Sequence, residues 1–399
     1  MLRPVNRLLR PSNRSVLVWL VVFLGLPSLS SVEKFTGVVG LILYVLALPV
    51  GIVLVRSWRW TPRPGRDTAV LTTLVAILVV GLLVLYPLAD SGRIGGGSDN
   101  DEALNLATRA LLRGDDPYAR ETYLGNPVAV LPGALVLSVP FAPLGNIAVW
   151  VNAFWLGALV LVLWRIGRGA YASASTLALG LFLCAAGLNA WIVGSDRLSN
   201  TICILLLSIG VCALVSRDGG SVTLAGCALV LGIALSWRIN FVLVVPSLLA
   251  FVAARRGWRA AVVTGVALGA GFVLVTIPFL LVDPDGFAPL QTLDSVWASS
   301  DLIVVGALIV AATTLCSVLV AFVIREREPS LPSFLWTCAF VLATPVWLLF
   351  PVVWVMDGAK AAFYFGTYGL FPAIFASAAV ALRVGVDGDR RLIPLHVGA

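Results

Sequence analysis

The sequence predicts an all-α, polytopic helical membrane protein with a single domain over residues 1–399. Hydrophobic residues make up 60% of the chain, charged residues make up 12%, and the mean hydropathy is +1.00. This composition, arranged in repeated long apolar runs, exceeds what a water-soluble core needs. Backbone groups in lipid must be satisfied within the chain, so the runs are predicted to be transmembrane helices.

The apolar runs predict about twelve transmembrane helices. The first is interpreted as a retained span, because no small-residue cleavage site follows it. The seventh and eighth are short and are also compatible with one bent pair. The expected ranges are 16–31, 37–55, 68–89, 146–164, 171–190, 198–215, 222–236, 240–254, 260–282, 301–323, 333–352 and 362–383.

The distribution of basic residues predicts the orientation. Four arginines precede the first span, and most of the 27 Lys and Arg residues fall on the same side of the predicted membrane. The positive-inside rule then puts both termini in the cytoplasm, including a short tail over residues 384–399, and the loop over residues 90–145 outside. The net charge of +7 reflects this orientation and anionic lipid, so no nucleic-acid partner is expected. A bacterial plasma membrane is the expected location.

The first outer loop is expected to contain an amphipathic juxtamembrane helix. Leu104, Ala107 and Leu111 share one face of a helix that would lie at the membrane interface. Gly114 is expected to end this helix, and Pro117 to prevent its continuation. The apolar stretch from residue 127 to residue 145 contains four prolines and is interpreted as a juxtamembrane or re-entrant element.

The same loop carries the densest acid cluster of the chain. Asp99 and Asp101 are expected to precede the helix on a loop at the water boundary, where a carboxylate can act as general base on a hydroxyl. Burial under a lipid substrate would raise the pKa of such a group. Alternatively, Ser98, Asp99 and Glu102 form a capping box, although this leaves several acids unexplained.

Two further outer loops, residues 191–197 with Asp196 and Arg197 and residues 236–240 with Arg238, carry isolated charges beside apolar spans. Arg238 requires a partner such as a carboxylate or a lipid phosphate, unless it extends to the headgroups. Asp357 and Lys360 are interpreted as a structural ion pair or, alternatively, as a second phosphate contact. The single histidine and the unpaired spacing of the six cysteines support neither a zinc site nor a disulfide framework, and no cofactor is expected.

The motifs of the first outer loop resemble those of a known enzyme class. Asp101-Glu102, then Leu-Leu-Arg-Gly-Asp-Asp-Pro-Tyr ending at Tyr118, then the segment from Pro132 to Phe141 are similar to the GT-C class of membrane glycosyltransferases. Within that class the chain is most similar to polyprenyl-phosphate-mannose-dependent mannosyltransferases. The resemblance covers roughly residues 90–200 with motif detail; elsewhere the agreement lies in hydropathy and topology.

This resemblance implies a GT-C-like fold and inverting sugar transfer, mannose above all, from a polyprenyl-phosphate donor to an acceptor hydroxyl outside the cell, without a required metal. It implies that Asp101 is the base, with Asp99 the nearest rival and Glu102 the third acid. Arg238, Arg197 and Lys360 become candidate contacts of the donor phosphate. The remaining implied substrate contacts are Asp196, Tyr118, Asn240 and Asp357.

The implied partners are the lipid-linked donor, membrane lipids and a glycolipid, polysaccharide or protein acceptor. A secondary transporter is the main alternative function, because about twelve spans with both termini inside is also a transporter layout. A lipid-linked glycan flippase or a non-catalytic assembly subunit is the third. The polar residues concentrate on one face rather than along a midplane path, which favours the transferase.

Overall fold

The computed structural model describes residues 13–57, 64–94, 98–166, 171–182, 184–217, 219–284, 286–289, 308, 311–319 and 330–392. Within these ranges the regular structure is helical, as predicted. The α-helices are α1 Asn13–Ser57, α2 Pro64–Asp90, α3 Asn100–Arg113, α4 Pro132–Ser138, α5 Ile147–Ile166, α6 Tyr171–Phe182, α7 Ala185–Ile192, α8 Asp196–Ser216, α9 Ser221–Leu235, α10 Val245–Arg256, α11 Trp258–Val282, α12 Leu331–Gly366 and α13 Leu370–Leu392. Short 3-10 helices cover Val139–Leu144, Ile239–Val244 and Thr367–Gly369.

The described residues contain seven helical stretches that are long and apolar enough to cross a membrane, or eight if one bent pair counts as a span. Large apolar side chains face outward along them, for example Val39 (71% exposed) and Leu83 (70% exposed). A continuous apolar exterior of this kind matches a lipid environment rather than water. The predicted all-α membrane class is therefore confirmed.

Two of the long helical stretches reverse direction at a glycine. In α1, Gly37 has φ 67°, and a Cβ on Gly25 would lie 3.0 Å from a methyl group of Leu48. A straight helix would hold these two residues about 34 Å apart, so α1 is a hairpin of two antiparallel helices. In α12, Gly358 has φ 85°, and a Cβ on Gly366 would lie 3.3 Å from the ring of Phe350.

Three predicted elements differ from the structure or fall partly outside it. The span predicted over 171–190 is instead a pair of helices, α6 and α7, bent by 82°. The last helix, α13, continues to Leu392, so most of the predicted tail over residues 384–399 is helical and the rest lies beyond the described residues. The span predicted over 301–323 lies largely outside the described residues, although residues 311–319 are helical.

The helix ends define two ends of the bundle. At the acidic end, which carries Asp90, Asp99, Asp101 and Asp196, α2 and α9 finish while α5 and α8 start. At the basic end, the last turn of α5 carries Arg165 and α10 finishes at Arg256. Arg256 donates to the backbone oxygens of Leu214, Val215 and Gly219 there, at 2.7, 3.0 and 2.5 Å. The bundle is therefore polarised in charge along its axis.

The proline-rich stretch after residue 127 packs at the acidic end. It forms α4 and the following 3-10 helix, which together make a short apolar helix (Pro132–Leu144). The backbone N–H of Gly133 donates to the backbone oxygen of Ser236 at 3.2 Å, so the segment is attached to the end of α9. The predicted juxtamembrane or re-entrant element is therefore covered by protein along most of α4, whereas no residue of its 3-10 helix is buried.

Candidate functional site

Asp101 lies in the first turn of α3 and is 4% exposed. The prediction that it precedes the helix on a solvated loop is therefore wrong. The amphipathic helix itself is confirmed: its apolar residues Leu104 and Ala107 are buried, and Gly114 ends it in the left-handed conformation (φ 76°). Docking this face buries Asp101 because position 101 is one helical turn before Leu104.

A hydrogen-bonded side-chain network holds Asp101. The hydroxyl of Tyr86, near the end of α2, donates to Asp101 Oδ2 at 2.5 Å. The Tyr86 oxygen in turn accepts from the side-chain amide of Asn146, the residue before α5. Asn105, one turn after Asp101 in α3, donates from Nδ2 to Asn146 Oδ1 at 3.1 Å. Three helices thus meet at one carboxylate.

An open cavity of about 420 Å³ adjoins this network. This volume lies within the range of ordinary small-molecule sites. One face of α3 lines the cavity, because Asp101, Asn105 and Arg109 recur every four residues along this helix. The complete lining is Tyr86, Asp90, Asp101, Glu102, Asn105, Leu106, Arg109, Tyr123 and Asn146.

The environment favours proton uptake by Asp101. Burial raises the pKa of its carboxyl above the ordinary value; the hydrogen bond from Tyr86 opposes this rise, and the negative charge of Asp90 adds to it. Arg109 brings a positive charge to the same cavity, and its Nη2 donates to the backbone oxygen of Gly145 at 2.7 Å. A carboxylate with a raised pKa is suited to general base catalysis near neutral pH.

Asp99 and Glu102 organise the neighbouring loop. Asp99 Oδ2 accepts from Thr122 Oγ1 at 2.7 Å and from Asn126 Nδ2 at 2.6 Å. Glu102 accepts from the backbone N–H of Tyr123 at 2.8 Å. Although Asp99 is at the N-cap position, its side chain makes no capping hydrogen bond, so the capping-box alternative is not formed. Both acids instead attach the turn around residues 121–127 to the start of α3.

A second polar cluster lies at the same end of the bundle. Asp196, in the first turn of α8, is 1% exposed and accepts from Arg238 Nη2 at 2.6 and 2.8 Å. The indole N–H of Trp237 donates to Asp196 Oδ2 at 3.2 Å. The prediction that Arg238 needs a partner is confirmed, and that partner is a carboxylate. Because both charges are paired, their burial is tolerated.

Gly194 separates the two clusters. It has φ +62°, and a Cβ placed on it would lie 3.0 Å from Cβ of Asp101 and 3.2 Å from the ring of Tyr86. Asp196 follows two residues later. The turn between α7 and α8 therefore packs its backbone directly against the Asp101 network and begins the helix that carries Asp196.

Arg197 contacts the break between α12 and α13. Its Nη1 donates to Thr367 Oγ1 at 2.7 Å, and its guanidinium lies 4.6 Å from the ring centre of Tyr368 and 5.7 Å from that of Tyr364. These contacts join α8 to the last pair of helices. A donor-phosphate contact by Arg197 stays a prediction.

The other predicted site residues lie outside the cavity lining. Tyr118 is buried and donates from its hydroxyl to the backbone oxygen of Val130 at 3.1 Å, packing edge-on against Phe287. Asn240 is exposed in the 3-10 helix before α10. Asp357 and Lys360 are both exposed, and among the described residues no ion pair joins them. The interpretation of Asp357 and Lys360 as an ion pair is therefore wrong, because the chain reverses between them at Gly358.

Sequence reasoning missed Tyr86, Asn105, Asn146 and Arg109. One available signal was the four-residue spacing of Asp101, Asn105 and Arg109, which predicts a shared polar face on a helix. Tyr86 and Asn146 carry no local signal, because they reach the site only through the packing of α2 and α5. Within the part of the chain that the structure describes, no group of three or more His, Cys, Asp or Glu residues is arranged to hold a metal ion.

Comparisons of the chain with family models, curated proteins and solved structures found no match.

Proposed function

We propose that this protein is a membrane glycosyltransferase that moves a sugar, mannose foremost, from a polyprenyl-phosphate donor to an acceptor hydroxyl with inversion. One observation carries the proposal: a nearly buried carboxylate, Asp101, lies beside an open cavity of about 420 Å³ at the acidic end of an apolar helical bundle. A carboxylate in this setting is a suitable base for a hydroxyl delivered from water, while the lipid chain of a donor stays in the bilayer.

In the proposed reaction Asp101 removes the proton of the acceptor hydroxyl. The acceptor oxygen then bonds to the anomeric carbon, and the bond from that carbon to the phosphate oxygen breaks. The leaving phosphate gains negative charge, which a nearby cation stabilises. Arg109 joins the earlier candidates Arg238, Arg197 and Lys360 for this role, because Arg109 lines the cavity. No metal is required for these steps.

The finer topology belongs to the same proposal. The described residues contribute eleven spans if the reversals in α1 and α12 are span boundaries, α6 and α7 form one broken span and the short α9 is also a span. The twelfth helix of the proposed GT-C-like fold is the span that the sequence predicts over residues 301–323, which lies largely outside the described residues. The basic end is assigned to the cytoplasm by the positive-inside rule, so the cavity opens outside a bacterial plasma membrane. Acceptors would then be glycolipids, polysaccharides or proteins of the cell envelope.

The direct test is sugar transfer by the purified protein in lipid nanodiscs, using a panel of radiolabelled polyprenyl-phosphate sugars. We expect transfer from one donor, a loss of roughly 10²- to 10⁴-fold on Asp101→Asn because that is the usual contribution of a general base, and retention of transfer on Asp115→Asn. Asp115 is a suitable control because it is an exposed carboxylate of the same loop, paired with Arg113 at 3.3 Å.

Two results would contradict the proposal. Transfer by Asp101→Asn at the wild-type rate would remove Asp101 as the base. Absence of transfer from every donor, combined with movement of an intact lipid-linked sugar across the bilayer when the same protein is placed in sealed vesicles, would assign the protein to the flippase alternative.

A further inference from the structure

The hydrogen bonds between the start of α5 and Asp101 have a fixed direction. A backbone N–H donates and never accepts. The N–H of Ala148 donates to Asn105 Oδ1 at 3.1 Å, and the N–H of Val149 donates to Asn146 Oδ1 at 3.3 Å. The start of α5 therefore determines which amide atom of each asparagine is the oxygen.

The orientation of these two amides also determines the direction of the hydrogen bond at Asp101. Since the oxygens of both amides accept from the backbone, their nitrogens must donate: Asn105 Nδ2 to Asn146 Oδ1 at 3.1 Å, and Asn146 Nδ2 to the oxygen of Tyr86. The single hydroxyl proton of Tyr86 is then directed to Asp101 Oδ2, at 2.5 Å. Oδ2 consequently accepts the hydrogen bond from Tyr86, so Oδ2 is not the carboxyl oxygen that carries a proton.

We propose that Tyr86 and Asn146 are positioning residues that reserve Oδ2 of Asp101 as a hydrogen-bond acceptor, so that Oδ1 is the atom that takes the proton from the substrate. The inference rests on the proposed function of Asp101 as the base. On transfer, the acceptor O–H bond breaks, its electron pair forms the new bond to the sugar, and the proton moves to Oδ1. The pair of the broken sugar–phosphate bond leaves with the phosphate.

Other charged and titratable groups also face Asp101. Asp90 belongs to α2, Glu102 and Arg109 belong to α3, and Tyr123 belongs to the following loop. The charge of Asp90 disfavours the carboxylate form of Asp101 and raises its pKa, whereas the backbone N–H of Glu102 favours that form. Tyr86→Phe and Asn146→Leu add no charge and leave all four of these groups in place, so a change in protonation can be assigned to the directed hydrogen bonds.

Two substitutions break the chain of directed hydrogen bonds that runs from Asn146 through Tyr86 to Asp101, while preserving the packing of the side chains. Tyr86→Phe removes the donor to Oδ2 and keeps the ring. Asn146→Leu adds no charge and is of similar size but cannot donate to Tyr86, so the Tyr86 proton is no longer directed to Asp101. Tyr123→Phe is the matched control, because it removes a tyrosine hydroxyl from the same cavity.

The test measures protonation of Asp101 without relying on turnover. A hydrophobic carbodiimide labels the protonated carboxyl, and peptide mass spectrometry follows the label on Asp101 as a function of pH. We expect the pH of half-labelling to rise by about 1 unit in Tyr86→Phe, the loss of one hydrogen bond to a charged group, and to rise in the same direction in Asn146→Leu. It should stay unchanged in Tyr123→Phe. Equal half-labelling pH values in wild type and both variants would overturn the inference.

Sugar transfer measured on the same proteins separates this inference from the proposed function. A shifted labelling curve with a matching upward shift of the acidic limb of transfer supports both. If the labelling curve shifts in the variants but the wild-type protein transfers no sugar, the result supports the positioning role and contradicts the enzyme assignment. Transfer with unshifted labelling supports the enzyme and contradicts the positioning role.

Discussion

Arg238 donates from one nitrogen, Nη2, to both carboxylate oxygens of Asp196, at 2.6 and 2.8 Å. Asp196 is 1% exposed, so loss of the arginine would leave a buried, uncompensated charge. The pair also joins the start of α8 to the segment that follows α9. It therefore contributes to the scaffold on which the acidic end is built.

The first prediction concerns this ion pair. Arg238→Gln should lower the free energy of unfolding by about 3 kcal/mol, because removing one member of a buried pair leaves the other without compensation. The measurement is thermal unfolding in detergent, followed by fluorescence-detected size exclusion. In the double variant Asp196→Asn with Arg238→Gln the loss should be smaller than the sum of the two single losses. Additive losses would show that the two residues act independently.

The second prediction concerns Gly194. Gly194→Ala should abolish sugar transfer, because the new Cβ would meet Cβ of Asp101 at 3.0 Å and the Tyr86 ring at 3.2 Å. Gly125→Ala is the matched control: its φ is +74°, so the backbone strain of about 1–2 kcal/mol is shared, but nothing lies within 4 Å of its Cβ. Equal activity of the two variants would mean that contact with Asp101 is unimportant.

The third prediction concerns the stability of Asp101 variants as a function of pH. Burial raises the folded-state pKa of this carboxyl. A raised pKa means that its stabilising contribution is fully present below the unfolded-state value and is lost as the pH rises through the folded-state value. Asp101→Asn should therefore be at least as stable as wild type at pH 8, although inactive, and the difference should disappear in acid. Thermal unfolding between pH 4 and pH 8 provides the measurement.

A marked loss of stability of Asp101→Asn at pH 8 would contradict this reasoning. It would show that the carboxylate form contributes more through its hydrogen bond with Tyr86 than burial costs. Asp115→Asn, on the exposed turn of the same loop, is expected to change little at any of these pH values.

The fourth prediction distinguishes Asp99 from Asp101. Asp99→Ala removes the acceptor for Thr122 and Asn126, so hydrogen exchange should accelerate over residues 121–127. Transfer should fall only partly, because the Asp101 network remains. If Asp99→Ala eliminated transfer while exchange in this turn stayed unchanged, Asp99 rather than Asp101 would be the base.

Local patterns were sufficient to predict the amphipathic helix α3 and its end at Gly114. The apolar spacing of Leu104 and Ala107 identifies the buried face, and glycine accepts the left-handed conformation at no steric cost. The same patterns misplaced the start of the helix, since the residues before Leu104 are polar and carry no apolar spacing that marks where the helix begins. One turn of additional helix turned Asp101 from an expected surface residue into a buried one.

The environment of Asp101 could not be predicted, because it depends on distant parts of the chain. Tyr86 precedes it by 15 residues, and Asn146 joins Tyr86 across 60 residues. Neither residue has a neighbouring motif that marks it. By contrast, the requirement for a partner of Arg238 was predictable from charge in an apolar setting, although its identity was not.

By itself the sequence determined the helical membrane class, the segregation of basic residues toward one end and the position of the acidic loop. These features follow from hydropathy and charge, which can be read over a few neighbouring residues. Only the tertiary structure decided which carboxylate is buried beside a cavity, which arginine pairs with Asp196, and which way the hydrogen bonds point. These depend on how α2, α3, α5 and α8 pack together, and packing joins residues whose separation along the chain carries no periodic signal.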